Sequence, residues 1–194
     1  MVSTIAEYHN YIDKAVNDFD SNNRILFGIW CVYNNLSDKE MNSFIEKESE
    51  GEIYTNDIRK FLEKLWESIF ISNSIDGPLI EDGINIKSIL NNTVWIHDEI
   101  VSRNPENEHI SWVCILTIGG MENFLDYILD GNVHNLLLCA ENNLNISDYK
   151  AEFGLTSNKQ ALKDEIDTQV SFIDDLQAGA INLKEINKYS ERFI

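Results

Sequence analysis

Positive charge is scarce in this sequence. Its 194 residues include 15 lysines and arginines against 33 aspartates and glutamates, so the formal net charge is −18. A surface of that sign repels the phosphates of nucleic acids and of anionic lipids, and the few basic residues form no dense patch that would overcome the repulsion. We therefore expect neither a nucleic acid nor a membrane surface as a partner.

Cysteine and proline are rare, with three and two residues. Cys31, Cys114 and Cys139 lie far apart in apolar runs, a spacing that fits neither a metal-binding knuckle nor a disulfide framework. The sequence predicts buried, reduced thiols in a cytoplasmic protein. Both prolines fall in turn patterns, so they interrupt few candidate helices.

Long apolar runs are also missing. The longest, residues 112–118, is much shorter than the ~20 residues that a membrane-spanning helix needs. Residues 1–4 lack the basic and apolar regions that begin a signal peptide. The sequence thus predicts neither a transmembrane helix nor a signal peptide.

Helical periodicity is abundant. Apolar residues make up 43% of the chain, and they recur at i, i+3, i+4 and i+7 in segment after segment. Residues that cap helices precede four of these segments: Thr4, Ser37, Asn132 and Ser157. With no internal repeat and no strand-like alternation, the pattern predicts an all-α, single-domain helical bundle of about eight helices over residues 1–194.

Three finer expectations concern the middle of the chain. Residues 74–83, centred on Asp76-Gly77-Pro78, form the strongest turn pattern and are predicted to be a loop. Residues 110–129 are apolar nearly all round in their first half and predict a central helix, in which Gly119-Gly120 either permits close approach of a neighbouring backbone or bends the helix. The tryptophans lie in apolar runs and are predicted to be core residues: Trp30, Trp66, Trp95 and Trp112.

Candidate catalytic groups are sparse. Glu106-x-x-His109 has the spacing of a di-iron ligand pair, but such sites need a second pair and two further glutamates, which the sequence lacks. Phosphate-binding glycine motifs and a nucleophile elbow are absent. We therefore expect no catalytic residue, no metal and no cofactor, and not an enzyme.

One alternative uses Arg103 and His109. Their spacing resembles the Arg-x(4–6)-His signature of the HEPN superfamily, helical bundles of which many are ribonucleases. The resemblance implies that His109 acts as the acid or base and that Arg103 holds a phosphate. On this alternative the protein is a HEPN-like ribonuclease.

Three blocks of core residues carry a second resemblance. Residues 24–36, 61–67 and 119–128 look, in that order, like the YjaG-like all-α proteins of unknown function. All-α chains of this size and acidity are also similar to the immunity proteins of bacterial contact-dependent growth inhibition and other polymorphic toxin systems. This likeness implies a cytoplasmic protein that binds a basic nuclease toxin and blocks its active site.

The predicted toxin-binding groups are drawn from residues 76–130, because this segment holds ten acids and two bases, a net charge of −8. Carboxylates in loops and at helix ends are exposed to a partner and complement a basic cleft. The predicted set is Asp76, Glu81, Asp82, Asp98, Glu99, Glu106 and Glu108. Asp174-Asp175 is a second candidate patch.

Overall fold

A computed structural model describes residues 4–51, 53–92, 106 and 108–189. Within that part of the chain eight α-helices follow one another, and the predicted all-α bundle is confirmed. The helices are α1 (Ile5–Asp18), α2 (Ser21–Asn35), α3 (Lys39–Glu48), α4 (Thr55–Ser72), α5 (Gly77–Asn92), α6 (Glu108–Asp130), α7 (Val133–Glu152) and α8 (Ala161–Gln177). A short 3₁₀ turn, Leu183–Glu185, follows α8.

Two helix starts lie where the capping residues predict them. The Thr4 hydroxyl accepts a hydrogen bond from the Glu7 backbone N–H, at 3.1 Å, and α1 begins at the next residue. The Asn132 side chain accepts from the backbone N–H of His134 at the start of α7. Each cap satisfies a donor that the helix itself leaves free.

Two other predicted caps are wrong. Helix α3 is capped by Asp38 rather than Ser37, because the Asp38 carboxylate accepts from the backbone N–H groups of both Glu40 and Met41. Helix α8 begins at Ala161 rather than directly after Ser157, and no side chain caps it.

The predicted loop at residues 74–83 is also wrong beyond its first three residues, since α5 begins at Gly77. The Asp76 carboxylate accepts from the Leu79 N–H at 3.0 Å, as a capping residue does. Pro78 lies in the first turn, where a helix does not use the N–H that proline lacks. A sequence typical of a turn therefore starts a helix.

Helix α6 lies at the centre of the bundle and packs against α2, α3, α5 and α7. It runs antiparallel to α7, to which two residues, 131 and 132, connect it. The Cys139 thiol of α7 donates to the backbone oxygen of Gly120, 3.2 Å away. Gly119-Gly120 therefore marks a close approach of two helices, as predicted.

The length and composition of α6 would suffice to cross a membrane. Half of its most apolar 18-residue window is buried inside the bundle, and the core helix of a globular protein has the same properties. The run of residues 112–118 underestimates the length of the apolar part of α6. Further apolar residues follow the run after short interruptions by glycines and polar residues, so an 18-residue window is still apolar on average.

Two tryptophans connect the bundle to the segment after α8. Trp30 stacks on Phe172 of α8, with ring centroids 4.2 Å apart. The Trp30 indole N–H donates to the Lys188 backbone oxygen, and the Trp66 indole N–H donates to the Leu183 backbone oxygen. Both indoles are buried, which confirms their predicted core role. The three cysteines are buried as well.

A buried hydrogen-bonded chain joins α1, α7 and α8. The Tyr8 hydroxyl donates to Gln169 Oε1 at 2.5 Å. Gln169 Nε2 in turn donates to the Ala140 backbone oxygen and to Glu165 Oε1, at 3.1 and 2.8 Å. Because all three polar side chains are almost fully buried, these bonds replace the water that folding removes.

Candidate functional site

The structure divides the predicted toxin-binding acids between two places. Asp76, Glu81 and Asp82 lie at the start of α5, and Glu106 and Glu108 lie at the start of α6. All five are exposed. Glu81 and Asp82 are helical rather than in a loop. Asp98 and Glu99 lie outside the described residues.

The α5 acids are joined by acids of α6 that the sequence did not single out. A Cβ at Gly83 would lie 3.5 Å from a Leu125 methyl group, so the first half of α5 packs on the last third of α6. Lys87 of α5 pairs with Asp126 of α6. We define the upper acidic surface as Asp76, Glu81, Asp82, Glu122, Asp126 and Asp130.

Charge on the α6 part of the upper acidic surface is arranged unfavourably for the helix. Glu122, Asp126 and Asp130 are four residues apart, so their carboxylates lie along one face and repel one another. They also approach the C-terminal end of α6, where the helix dipole is negative, and the last turn contains no basic residue. Lys87 pairs with Asp126 and offsets part of this repulsion, and a further positive charge near the end of α6 would offset more.

Two lysines partly neutralise the upper acidic surface. Besides the Lys87–Asp126 pair, Lys64 of α4 lies 4.0 Å from Asp82, and both of these side chains are more than half exposed. Such exposed pairs are weak and are screened by salt. Glu81 has no cation within ion-pair distance among the described residues, so the surface keeps a negative potential.

The second group of acids lies at the start of α6, one to two helical turns before an exposed aromatic ring, that of Trp112. Gly119 of α6 faces Asn142 of α7, since a Cβ at Gly119 would lie 3.6 Å from Asn142 Nδ2. Two turns along these antiparallel helices, Trp112 comes opposite Tyr149. Trp112 is 40% exposed and Phe153 51% exposed, and the rings of Tyr149 and Phe153 stack with centroids 4.3 Å apart.

Carboxylates lie around these rings. Glu108 lies one helical turn before Trp112 on α6, and Glu152 lies three residues after Tyr149 on α7, so each carboxylate shares a helix face with one of the rings. Partial burial and the charges of Glu108 and Glu152 raise the pKa of the Tyr149 hydroxyl. In the part of the chain that the structure describes, neither acid has a cation within ion-pair distance. We define the aromatic–acidic surface as Glu108, Trp112, Tyr149, Glu152 and Phe153, with Glu106 exposed two residues before Glu108.

The two surfaces lie far apart. Leu125, which contacts the Gly83 position, is 17 residues beyond Glu108 on α6, or about 26 Å along the helix axis. The predicted acids therefore do not form one patch, and a partner that covers one surface does not have to touch the other.

Trp112 is the residue whose predicted role is wrong. It is exposed, because the buried face of α6 passes through Ser111, Val113 and Cys114 and turns away from it. An apolar run that surrounds a helix does not reveal which residue faces solvent. The fourth tryptophan, Trp95, lies outside the described residues.

The carboxylates of the second candidate patch bind within the fold. Asp174 accepts from the Tyr11 hydroxyl at 2.6 Å. Asp175 accepts from Lys188 at 2.9 Å and from the Tyr189 hydroxyl at 2.8 Å. Because these bonds attach α8 to α1 and to the segment after it, Asp174-Asp175 is less available to a partner than the other two surfaces.

The remaining candidate groups are the Arg103–His109 pair and the possible metal ligands. Arg103 lies outside the described residues, while His109 is half-buried in the first turn of α6. Across the described ranges, no three histidine, cysteine, aspartate or glutamate side chains are grouped so that they could hold a metal ion.

Comparison of the chain with protein-family models, curated proteins and solved structures found no match.

Proposed function

We propose that this protein is an immunity-type protein that binds a basic toxin and covers its active site. The observation that supports this most is the upper acidic surface: α5 packs on α6 where Gly83 meets Leu125, and its six acids lie in the segments on either side of this contact. Two of these acids, Asp82 and Asp126, pair with Lys64 and Lys87. The α6 carboxylates of this surface repel one another at the negative end of a helix. A positively charged partner would relieve that repulsion.

The physical requirements of a nuclease toxin fit this surface. A nuclease must attract phosphate, so its substrate cleft is basic, and carboxylates presented to that cleft occupy the place of the phosphates. The net charge of −18 adds long-range attraction, which accelerates encounter with a basic protein at low ionic strength. Inhibition then needs no chemical step by the inhibitor.

Capture of the partner tests the proposal. The tagged protein is purified from its native host, bound proteins are eluted with a salt gradient and identified, and the partner is assayed for nucleic-acid cleavage with and without this protein. We expect a basic protein whose cleavage activity falls as the acidic protein is added in equimolar amount.

Two controls make the result specific. Glu81→Lys should weaken the capture and reduce its dependence on salt, because a charge of the upper acidic surface is reversed. Lys159→Glu reverses a charge at an exposed residue before α8, and it should reduce neither the capture of the partner nor the salt dependence of that capture. A partner without excess positive charge, or one whose activity is unchanged, would contradict the proposal, as would RNA cleavage by this protein alone that His109→Ala abolishes.

A further inference from the structure

The aromatic–acidic surface combines two features that separately bind guanidinium groups. Trp112 and the stacked pair Tyr149–Phe153 expose ring area, on which the planar guanidinium of arginine stacks. Glu108 and Glu152 supply carboxylates beside the rings, and a carboxylate accepts two parallel hydrogen bonds from the same guanidinium. The two features lie next to each other on α6 and α7.

Charge and exposure select the kind of partner. The antiparallel register of α6 and α7 places the backbone of Trp112 opposite that of Tyr149, and among the described residues no cation pairs with Glu108 or Glu152. A positive ligand would therefore supply a counter-charge that the described side chains do not. An uncharged apolar segment would leave these carboxylates near its own buried surface without a partner, which is costly. A negatively charged segment would be repelled.

We propose that the aromatic–acidic surface is a docking site for an arginine-bearing segment of a basic protein partner. The inference rests on the proposed function in that the partner is basic, and it adds where the partner anchors and through which side chain. The upper acidic surface would accelerate encounter through charge, whereas the rings and carboxylates of α6 and α7 would retain the partner once it has docked.

Arginine and lysine peptides of equal length separate this proposal from general attraction by charge. Binding of nona-arginine and nona-lysine to the full chain is measured by calorimetry at the same ionic strength. Because arginine stacks on rings and forms bidentate bonds, we expect nona-arginine to bind about five- to tenfold more tightly. Equal affinities for the two peptides would overturn the proposal.

Variants locate the binding. Trp112→Ala should remove most of the preference for nona-arginine, and Trp112→Phe should keep much of it because a ring remains. Ile71→Ala, a truncation of a 77% exposed residue on α4, is the matched control and should change nothing. Circular dichroism and thermal unfolding check that each variant is folded; an unchanged preference in folded Trp112→Ala would overturn the proposal.

The docking site and the proposed function can be contradicted independently of each other. If a basic partner is captured and inhibited but Trp112→Ala binds it with unchanged dissociation rate, the docking site is wrong and the proposed function stands. If the arginine preference is present and depends on Trp112 while no basic partner is captured or inhibited, the docking site stands and the toxin-binding function is wrong.

Discussion

Gly28 of α2 lies directly against the ring of Phe124 of α6. A Cβ at position 28 would overlap two carbons of that ring, and it would also lie 2.8 Å from a methyl group of Leu136 on α7. Three helices therefore meet at a point where one of them has no side chain. The contact brings α2 close enough to bury both Phe124 and Leu136 completely.

Gly28→Ala should consequently destabilise the bundle, although alanine favours helix formation. Overpacking of a filled core costs about 1–3 kcal/mol, which exceeds the gain in helix propensity of about 1 kcal/mol. Urea unfolding measures the difference. Gly77→Ala is the matched control, since nothing lies within 4 Å of its Cβ position, and it should leave stability unchanged or slightly higher. Equal effects of the two substitutions would contradict the close contact.

The buried hydrogen bond between Tyr8 and Gln169 predicts that substitutions at these two residues reduce the stability of the fold in a non-additive way. Gln169→Leu removes three hydrogen bonds and leaves the Ala140 oxygen and the Glu165 carboxylate with fewer donors, so stability should fall by about 2–5 kcal/mol. Tyr8→Phe alone should cost less. In the double variant the two losses should not add, because both remove the Tyr8–Gln169 bond. Simple additivity in urea unfolding would show that the bond contributes nothing.

Asp38 predicts a specific sensitivity to acid. Burial opposes ionisation, but the Met41 backbone N–H, Lys150 and the Glu40 N–H together lower the pKa of Asp38 below its ordinary value. Because the pKa of Asp38 is lower in the folded than in the unfolded protein, the ionised Asp38 carboxylate stabilises the fold. This stabilisation is complete above the unfolded pKa of about 4 and is lost as the pH falls through the folded pKa.

Asp38→Asn should therefore reduce stability at pH 7, by about 1 kcal/mol for loss of the charged cap and the Lys150 pair, and by less at pH 3. Urea unfolding at the two pH values measures both effects. Asp57→Asn is the control, because Asp57 also lies in a first helical turn but forms a mostly exposed pair with Lys60, and its effect should be smaller. A loss for Asp38→Asn that is the same at both pH values would contradict the assignment.

Asp130 predicts opposite effects on stability and on binding. Asp130→Asn keeps an oxygen that can accept from the Asn132 N–H but removes a charge from the negative end of α6. Thermal unfolding should show a small gain in stability, of a few tenths of a kcal/mol. Binding of the basic partner should weaken, with a smaller dependence on salt.

Glu81→Gln supplies the comparison for Asp130. Glu81 is near the N-terminal end of α5, where a negative charge is favourable, so its removal should weaken binding without a gain in stability. If Asp130→Asn lowered stability instead of raising it, the charge of Asp130 would not be unfavourable for α6, and this prediction would be wrong.

Local patterns predicted much of the fold. Thr4 and Asn132 are recognisable as caps from sequence because a cap bonds to backbone groups of the next two or three residues. Helical spacing of apolar residues likewise identifies the buried face of α4. Gly77-Pro78 misled the prediction because a turn pattern and a capped helix start use the same residues, and the Asp76 cap decides between them. The prediction that Ser157 caps a helix was wrong. Its sequence context suits a cap, but α8 begins only at Ala161 and no side chain caps it.

The functional surfaces depend on relations between helices that are distant in sequence. Asp82 and Asp126 lie 44 positions apart, yet each adjoins one of two residues that meet where α5 packs on α6, Gly83 and Leu125. Trp112 and Tyr149 occupy opposite positions because α6 and α7 are antiparallel and Gly119 faces Asn142. Conversely, Asp82 and Glu108 are closer in sequence but are separated by most of the length of α6, which periodicity alone does not reveal.

The two indole hydrogen bonds to the segment after α8 determine how late in synthesis the native core can be completed. Trp30 and Trp66 belong to the first half of the chain, but their N–H groups donate to the backbone oxygens of Lys188 and Leu183, respectively. A growing chain on the ribosome therefore has α2 and α4 long before it has the acceptors for their indoles. Completion of the native core must wait until residue 188 has left the exit tunnel, and nascent chains stalled before that point should be more sensitive to proteases than released protein.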